Sequence, residues 1–283
     1  FYFMTGLWIW KKNGQNRHIR ISLAYVIMII LIWIPMARRK SLAFLDVGQG
    51  DCFVADTKSG AIIFDGGSSS EDQVGRYRIL PYMKYLGYQK IQIAVISHMD
   101  IDHYSGIKEL LEMGKIKYLG LPEIPKDETM KKIIGIAKKR GTTIFYLSRG
   151  RQITTKDGSL KVLHPQKNSQ MEKNAASLVM QGKILGYRVL LTGDVEKEGE
   201  EELLSEELER ADILKAAHHG SKNSTSNEFL QKVQPKQTVI SCGKQNRYGH
   251  PHLETIHRLQ TYRTKIYRTD RSGAIIFFKR RDG

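Results

Sequence analysis

Apolar residues fall in short runs at Leu42–Leu45, Cys52–Ala55 and Ala61–Phe64, separated by Gly48, Gly50 and Gly60, and this pattern predicts three opening strands. A helical spacing follows around Gly75–Leu86, then an apolar strand at Ile91–Ile96. Helix and strand alternate after that: a helix at His103–Met113, a strand at Lys117–Leu121, a helix through Asp127–Lys139 and a strand at Thr143–Tyr146. A meander is predicted through Arg151–Thr154, Ser159–His164, Ser177–Gln181 and Arg188–Thr192. The remainder alternates again, with helices at Glu196–Glu209, Ser226–Val233 and Leu253–Gln260 among strands at Ile213–Ala217, Gln237–Ser241, Lys265–Tyr267 and Ala274–Phe278. Two series that each mix strands with covering helices predict two sheets stacked face to face with helices outside. The expected fold is therefore α/β.

Polar residues break these runs at strand ends, and there the chemistry concentrates. His98-Met99-Asp100-Ile101-Asp102-His103 follows the run Ile93–Ile96. A strand feeding that loop turns His98, Asp100 and Asp102 to one side, and His103 reaches the same place from the first turn of the next helix. Asp194 ends a second apolar strand after Thr192-Gly193, and a third strand leads into His218-His219-Gly220-Ser221. Three strand ends carrying His and Asp predict a binuclear metal centre. The plainer alternative, a solvated loop whose carboxylates cap a helix, leaves the downstream set unexplained. Two divalent cations roughly 3.5–4 Å apart can acidify a shared water and hold the attacking and leaving oxygens of a displacement. Such a pair needs a bridging carboxylate, for which Asp194 is the candidate. Neighbouring strand residues point opposite ways, so one of His218 and His219 is expected to be a ligand and the other to face substrate.

In this order and spacing, His-x-Asp-x-Asp-His, Thr-Gly-Asp and His-His-Gly-Ser resemble the metallo-β-lactamase superfamily. Within it, Leu45–Asp51, Phe64–Gly67, Ser177–Val179, Gly249–His252 and Arg268–Ile275 resemble the ComEC family of bacterial competence (DNA-uptake) proteins, over about residues 41–280. The resemblance implies an αββα sandwich over 41–283. It assigns His98 and Asp100 to one ion and Asp102 and His103 to the other, with Asp194 between them and His218 or His219 completing the second site. Two departures stand out. Asp100 occupies a position where histidine is usual, which moves preference from zinc towards manganese or magnesium. The histidine expected between the loop and Asp194 is missing, and Asn174–Ser177 stands near its place, so one ion is expected to be loosely held. Two divalent ions, Mn2+ or Zn2+, are the implied cofactors. Asp65 is expected to orient the loop by hydrogen bonding, with Asp46, Asn174 and Ser177 in supporting roles. Asp51 lies near the loop as well. His164 reads as a structural strand-end residue. Asp102, Asp194 and His250 are the expected catalytic groups, His250 being aimed by the stiff turn Gly249–His252. Gly48-Gln49-Gly50 is no dinucleotide fingerprint, because Phe53 holds the third glycine position.

At 283 residues and 41% apolar, the chain supports one large domain. Residues 1–40 differ in character. Phe1–Trp10 is largely apolar, Lys11–Arg20 is basic, and Ile21–Ala37 is apolar without charge. This predicts a transmembrane helix ahead of the domain and the tail of a larger membrane region, since Arg38-Arg39-Lys40 rather than a small-residue cleavage site follows. Cations flank both sides of the span, so orientation is not given by charge; the resemblance implies the extracytoplasmic face of the cell membrane. The formal net charge is +16, of which residues 1–40 supply seven positive charges and no negative ones. The surplus favours a polyanion, DNA (single-stranded) or an anionic membrane. Ten Lys/Arg stand against three acids in residues 244–283, making Arg263, Arg268 and Arg271, together with Lys222, the candidate DNA contacts. Cys52 and Cys242 form no disulfide framework. The expected function is a metal-dependent hydrolase, a phosphodiesterase or nuclease acting on DNA beside the uptake machinery. The alternatives are a hydrolase of a small phosphodiester, a lactone or a cell-surface phosphocholine, or a non-catalytic DNA-guiding module. No pattern indicates an oligomeric state.

Overall fold

A computed structural model describes residues 17–33, 39–171 and 173–280. The apolar segment expected at Phe1–Trp10 lies outside the described residues. The chain divides into two compact units, residues 1–39 and 40–283. In the first, helix α1 (Arg17–Trp33) carries exposed Leu23, Tyr25, Val26 and Ile27. Its 17 residues run about 26 Å, short of the roughly 30 Å of a bilayer core. Among the described residues no helix is long and apolar enough to cross a membrane. The end of the expected span, residues 34–37, lies outside the described residues.

The second unit holds two seven-stranded sheets. In the first, β1 (Ser41–Phe44), β2 (Phe53–Thr57), β3 (Gly60–Phe64), β4 (Ile91–Val95), β5 (Ile116–Pro122) and β6 (Thr143–Leu147) lie side by side in chain order. The second continues with β7 (Gln152–Thr155), β8 (Gly158–His164), β9 (Val179–Ile184), β10 (Tyr187–Leu191), β11 (Ile213–Lys215), β12 (Gln237–Ile240) and β13 (Lys265–Arg268), again in chain order. The last strand, β14 (Ile275–Phe278), returns to pair antiparallel with β1.

Period-two alternation decides what each face buries. Leu42, Phe44, Phe53, Ile62 and Phe64 point between the sheets, where they meet Val162, Met180, Val189, Leu191 and Val239. Ala43, Val54, Ile63 and Ala94 point the other way, onto helices α2 (Leu80–Tyr85, preceded by a π-helical turn at Gly75–Ile79), α3 (Ile101–Glu112) and α4 (Glu128–Lys139). On the far side, Leu190, Leu214 and Ile240 pack against α5 (Lys197–Leu204), α6 (Asn227–Val233) and α7 (Leu253–Thr261). Helix, sheet, sheet and helix layers thus stack as expected from the pattern. Strands β3 to β6 run parallel, as do β10 to β13, so the loops after their carboxyl ends gather at one edge.

Several boundaries shift from the sequence expectation, as at β9, which runs Val179–Ile184 rather than Ser177–Gln181, and two of the shifts have a visible cause. The helix expected over Glu196–Glu209 ends at Leu204. Beyond it Glu206 meets Arg149 at 2.8 Å, and the Glu209 backbone exchanges hydrogen bonds of 2.7 and 3.1 Å with the Gln181 side-chain amide, so the chain is held against β9 instead of continuing the helix. The strand expected through Ala217 stops at Lys215. The Ala217 N–H turns to Thr225 Oγ1 at 3.2 Å rather than to a neighbouring strand, which starts the turn that carries His218 and His219.

Candidate metal centre

The loop after β4 brings His98 into the interior, 2% exposed, with its Nε2 3.8 Å from Asp100 Oδ2. Asp100 stands at the N-cap of α3 but makes no side-chain cap bond, unlike Asp127, which accepts the Met130 N–H at 2.7 Å. The capping alternative therefore does not account for Asp100. The first turn of α3 delivers Asp102 and His103. His103 is fully buried, its Nδ1 3.0 Å from Asp65 Oδ2 and its Nε2 3.1 Å from Asp194 Oδ2. Asp65 itself sits at φ 57°, in the left-handed region, and accepts the Ser97 N–H at 2.7 Å and the Ser97 hydroxyl at 2.8 Å. It ties the loop and the His103 ring together, as its sequence position led us to expect.

Asp194 follows Gly193, whose φ of 52° favours glycine. Its N–H donates to Ser177 Oγ at 3.3 Å, and the Ser177 N–H donates to the Asn174 carbonyl at 3.0 Å. Ser177 thus touches Asp194 directly, while Asn174 supports it through the backbone. His164 faces elsewhere, with Nδ1 2.9 Å from the Ser177 carbonyl and Nε2 3.1 Å from Glu202.

His218 and His219 do not continue a strand. Both adopt left-handed backbone, φ 47° and 52°, in a short 3-10 turn, so strand parity does not govern where they point. Such backbone is costly for residues with side chains and tends to be kept where function demands it. The His219 Nδ1–H donates to the Ser241 carbonyl at 2.9 Å, and Nε2 lies 3.3 Å from both Asp102 Oδ2 and Asp194 Oδ2. His218 stays at the rim, its Nδ1 2.9 Å from Glu196 and its Nε2 3.9 Å from Asp194. The His250 ring centroid is 5.4 Å from that of His218 and 6.1 Å from that of His219. Burial and the neighbouring imidazoles push His250 down to about 4, which keeps it neutral at pH 7. His252, at the N-cap of α7, accepts the Lys222 N–H at 3.0 Å, a turn-forming role.

Two further residues complete the centre. Asp51, His103, Asp194 and His219 each offer a ligand atom within 4.8 Å of the others. Asp51 approaches the Nδ1 atoms, 3.6 Å from His103 and 3.7 Å from His219. Lys215, 4% exposed at the end of β11, ion-pairs with Asp51, lies 3.4 Å from Asp194 Oδ1 and donates to the Gly193 carbonyl at 2.9 Å. Both left a trace in the sequence. Asp51 follows Gly50, where a Cβ would lie 2.7 Å from the Asp102 carbonyl, and the glycine lets the Asp51 N–H reach that carbonyl at 3.0 Å. Lys215 is the one charge in the apolar run Ile213–Ala217.

The donor set fits a divalent cation. The buried Nε2 atoms of His98, His103 and His219 face the carboxylates of Asp100, Asp102 and Asp194, while Nδ1 of His103 and of His219 is fixed by Asp65 and by the Ser241 carbonyl. Without a cation, protons balance the carboxylates. Burial works to lower His219, but Asp194 and Asp51 outweigh it and raise the imidazole to about 10. His103 is raised in the same way, by Asp194 and Asp65 against burial. Asp102 is held down at about 2: burial opposes this, but the His219 hydrogen bond and the His103 charge prevail. A cation held between these groups would take the place of the imidazole protons.

The remaining expected residues stand apart. Asp46 accepts the Gly48 N–H at 3.2 Å and serves its own turn. Arg268 chelates Asp270 at 2.9 and 2.7 Å, so much of its charge is already matched. Arg263 and Arg271 are exposed, and among the described residues nothing ties them to the centre. Lys222 lines a cleft of about 690 Å³ with Glu196, Glu200 and Arg258, a mixed-charge surface next to the partner of His218.

Comparison with known proteins agrees with the two-sheet fold. The profile of the Metallo-beta-lactamase superfamily matches residues 45–244. ComE operon protein 3 of Bacillus subtilis is 35% identical over 278 residues, covering 91% of this chain and 35% of its own length. Competence protein ComA of Neisseria gonorrhoeae is 30% identical over 248 residues, covering 84% and 32%. The chain thus spans about a third of the length of these relatives. Among solved structures, the metallo-beta-lactamase fold protein YhfI of Bacillus subtilis superposes with a TM-score of 0.56 over 83% of this chain and 99% of its own, at 13% identity, a likeness of fold. The chain belongs to the metallo-β-lactamase superfamily.

Proposed function

We propose that this domain is a metal-dependent phosphodiesterase that cleaves DNA. The observation that carries the reading is the convergence of His103 Nε2 and His219 Nε2 on Asp194 Oδ2, at 3.1 and 3.3 Å. His103, His219, Asp102 and Asp194 would hold one cation. His98 and Asp100, with Asp194, would hold a second more weakly, for want of a further imidazole. The oxygen-rich set favours Mn2+ over Zn2+. A divalent cation bound here would polarise a phosphoryl oxygen and make water a better nucleophile. The chain's own residues do the rest. Asp65, Ser97 and the Ser241 carbonyl fix the imidazole tautomers, Lys215 holds Asp194 from beneath, and neutral His250 is placed to hydrogen-bond a leaving oxygen.

The name of one relative, Competence protein ComA, supports a competence setting, and the choice of DNA as substrate beside the membrane rests on that setting and on the family resemblance. The test is incubation of the chain with end-labelled single-stranded DNA and Mn2+, beside a generic small phosphodiester and a lactone. Metal-dependent DNA cleavage that stops with chelator is expected. Turnover of the lactone alone, or of nothing under any divalent cation, would sink the reading.

A further inference from the structure

Between Gln73 and Met99 the chain carries no acidic residue, yet it presents Arg76, Arg78, Lys84 and Lys90, all exposed. Interleaved with these are aromatic rings in unusually open positions for their size: Tyr77 is 63% exposed and Tyr85 70%. Tyr82 and Tyr85 already stack, ring centroids 6.0 Å apart and planes inclined by 29°. Among the described residues no hydrogen bond or ring contact engages the Tyr77 side chain, and no ion pair engages the side chains of Arg76, Lys84 or Lys90. Arg78 meets Glu71 at 3.4 Å, an exposed pair of little strength. Tyr88 differs, since its hydroxyl donates to Asp56 at 2.6 Å and it belongs to the fold. A cleft of about 260 Å³ lies at Tyr88, flanked by Lys84 and Lys115 and lined by no carboxylate.

One end of this surface lies along the helix whose first turn carries part of the candidate metal centre, while Lys90, at its other end, leads into the opposite end of β4 from the His98 loop. The π-helical turn packs on α3 through the close approach of Gly75 to Gly106, and the Arg76 N–H donates to Glu109 at 3.0 Å. Helix α3 is the one whose first turn carries Asp102 and His103.

We infer that the exposed face of Arg76–Lys90 is a stacking track for single-stranded nucleic acid along the flank of the domain, an inference that rests on the reading of DNA as substrate. Rings that are open and flat, interleaved with cations in a segment that carries no acid of its own, match the two needs of such a strand. Its bases stack on aromatic faces whatever their sequence, and its phosphates follow the cations. The C-terminal basic run answers neither need as well, because Arg268 is held by Asp270.

The test measures binding apart from cleavage. Fluorescence anisotropy of a labelled oligo-dT is followed on the 283-residue chain carrying Asp194→Asn, in chelator, with and without Tyr77→Ala and Tyr85→Ala. Kd should rise roughly tenfold for each tyrosine removed, and Tyr77→Phe with Tyr85→Phe should restore it, because rings rather than hydroxyls stack. Arg76→Ala with Lys84→Ala should flatten the salt dependence by about 0.7 in log–log slope for each phosphate that the chain no longer neutralises. In the otherwise native chain, the tyrosine changes should leave hydrolysis of a small phosphodiester unaltered. Unchanged Kd and slope overturn the track, as does loss of binding to anionic lipid vesicles with oligo-dT binding intact. If the tyrosines matter for binding while no phosphodiester is ever hydrolysed, the track stands and the catalytic reading falls.

Discussion

Replacing Asp194 by Asn should lower DNA cleavage by roughly 10³-fold or more and reduce bound metal, while leaving the fold intact. The substitution keeps the side chain's shape but removes the charge on which His103 Nε2 and His219 Nε2 converge, at 3.1 and 3.3 Å. It also deprives Lys215 of one of its two carboxylate partners. The sandwich persists because its three apolar layers do not include the centre. Asp46→Asn is the matched control. That carboxylate only accepts the Gly48 N–H, so activity and metal content should stay within about twofold of the parent. Metal analysis and single-turnover cleavage on the two variants decide the matter. Near-normal cleavage with full metal content in Asp194→Asn would remove Asp194 from the mechanism.

Lys215→Met should produce the largest stability change. Its ammonium is buried between Asp51 and Asp194, and removing one partner of a buried ion pair costs about 3–5 kcal/mol because the other charges are left unmatched. For a domain of this size that corresponds to a loss of roughly 6–20 °C in Tm. The deficit should appear in chelator and shrink when Mn2+ is added, because a cation that binds only the folded state can take over the neutralising charge. The parent should gain less from the same addition. Differential scanning calorimetry with and without metal checks both statements. A variant that melts with the parent in chelator would show that Lys215 is not the counter-ion of the site.

Much of this arrangement was legible before the structure. The two sheets could be traced because short apolar runs and period-two alternation mark strands whose faces are both buried, as in β1 to β4. The His98–His103 loop could be singled out because its four metal-competent side chains are contiguous, and Asp194 because it ends a strand after Thr-Gly. What escaped notice depends on long-range meetings. Asp51 and Lys215 touch only because the loop after β1 and the end of β11 reach the same edge, and a lone lysine in an apolar run looks like any side chain whose amine escapes to solvent. The choice between His218 and His219 could not come from strand parity, since both occupy a left-handed turn. Counting charge in the last forty residues overlooked the fact that Asp270 grips Arg268 from two positions away. The same counting undervalued Arg76–Lys90, where fewer cations stand, none of them opposed by an acid within the segment.

Everything in the mechanism depends on a divalent cation seated among His103, His219, Asp102 and Asp194. Crystals of the chain grown with Mn2+ and measured at the manganese absorption edge would locate it. An anomalous peak is expected within about 2.0–2.3 Å of His103 Nε2, His219 Nε2 and an Asp194 oxygen, with a weaker one beside His98 and Asp100. Saturating Mn2+ with no peak at those three atoms, and the Lys215 ammonium still the sole cation facing Asp194, would overturn the assignment.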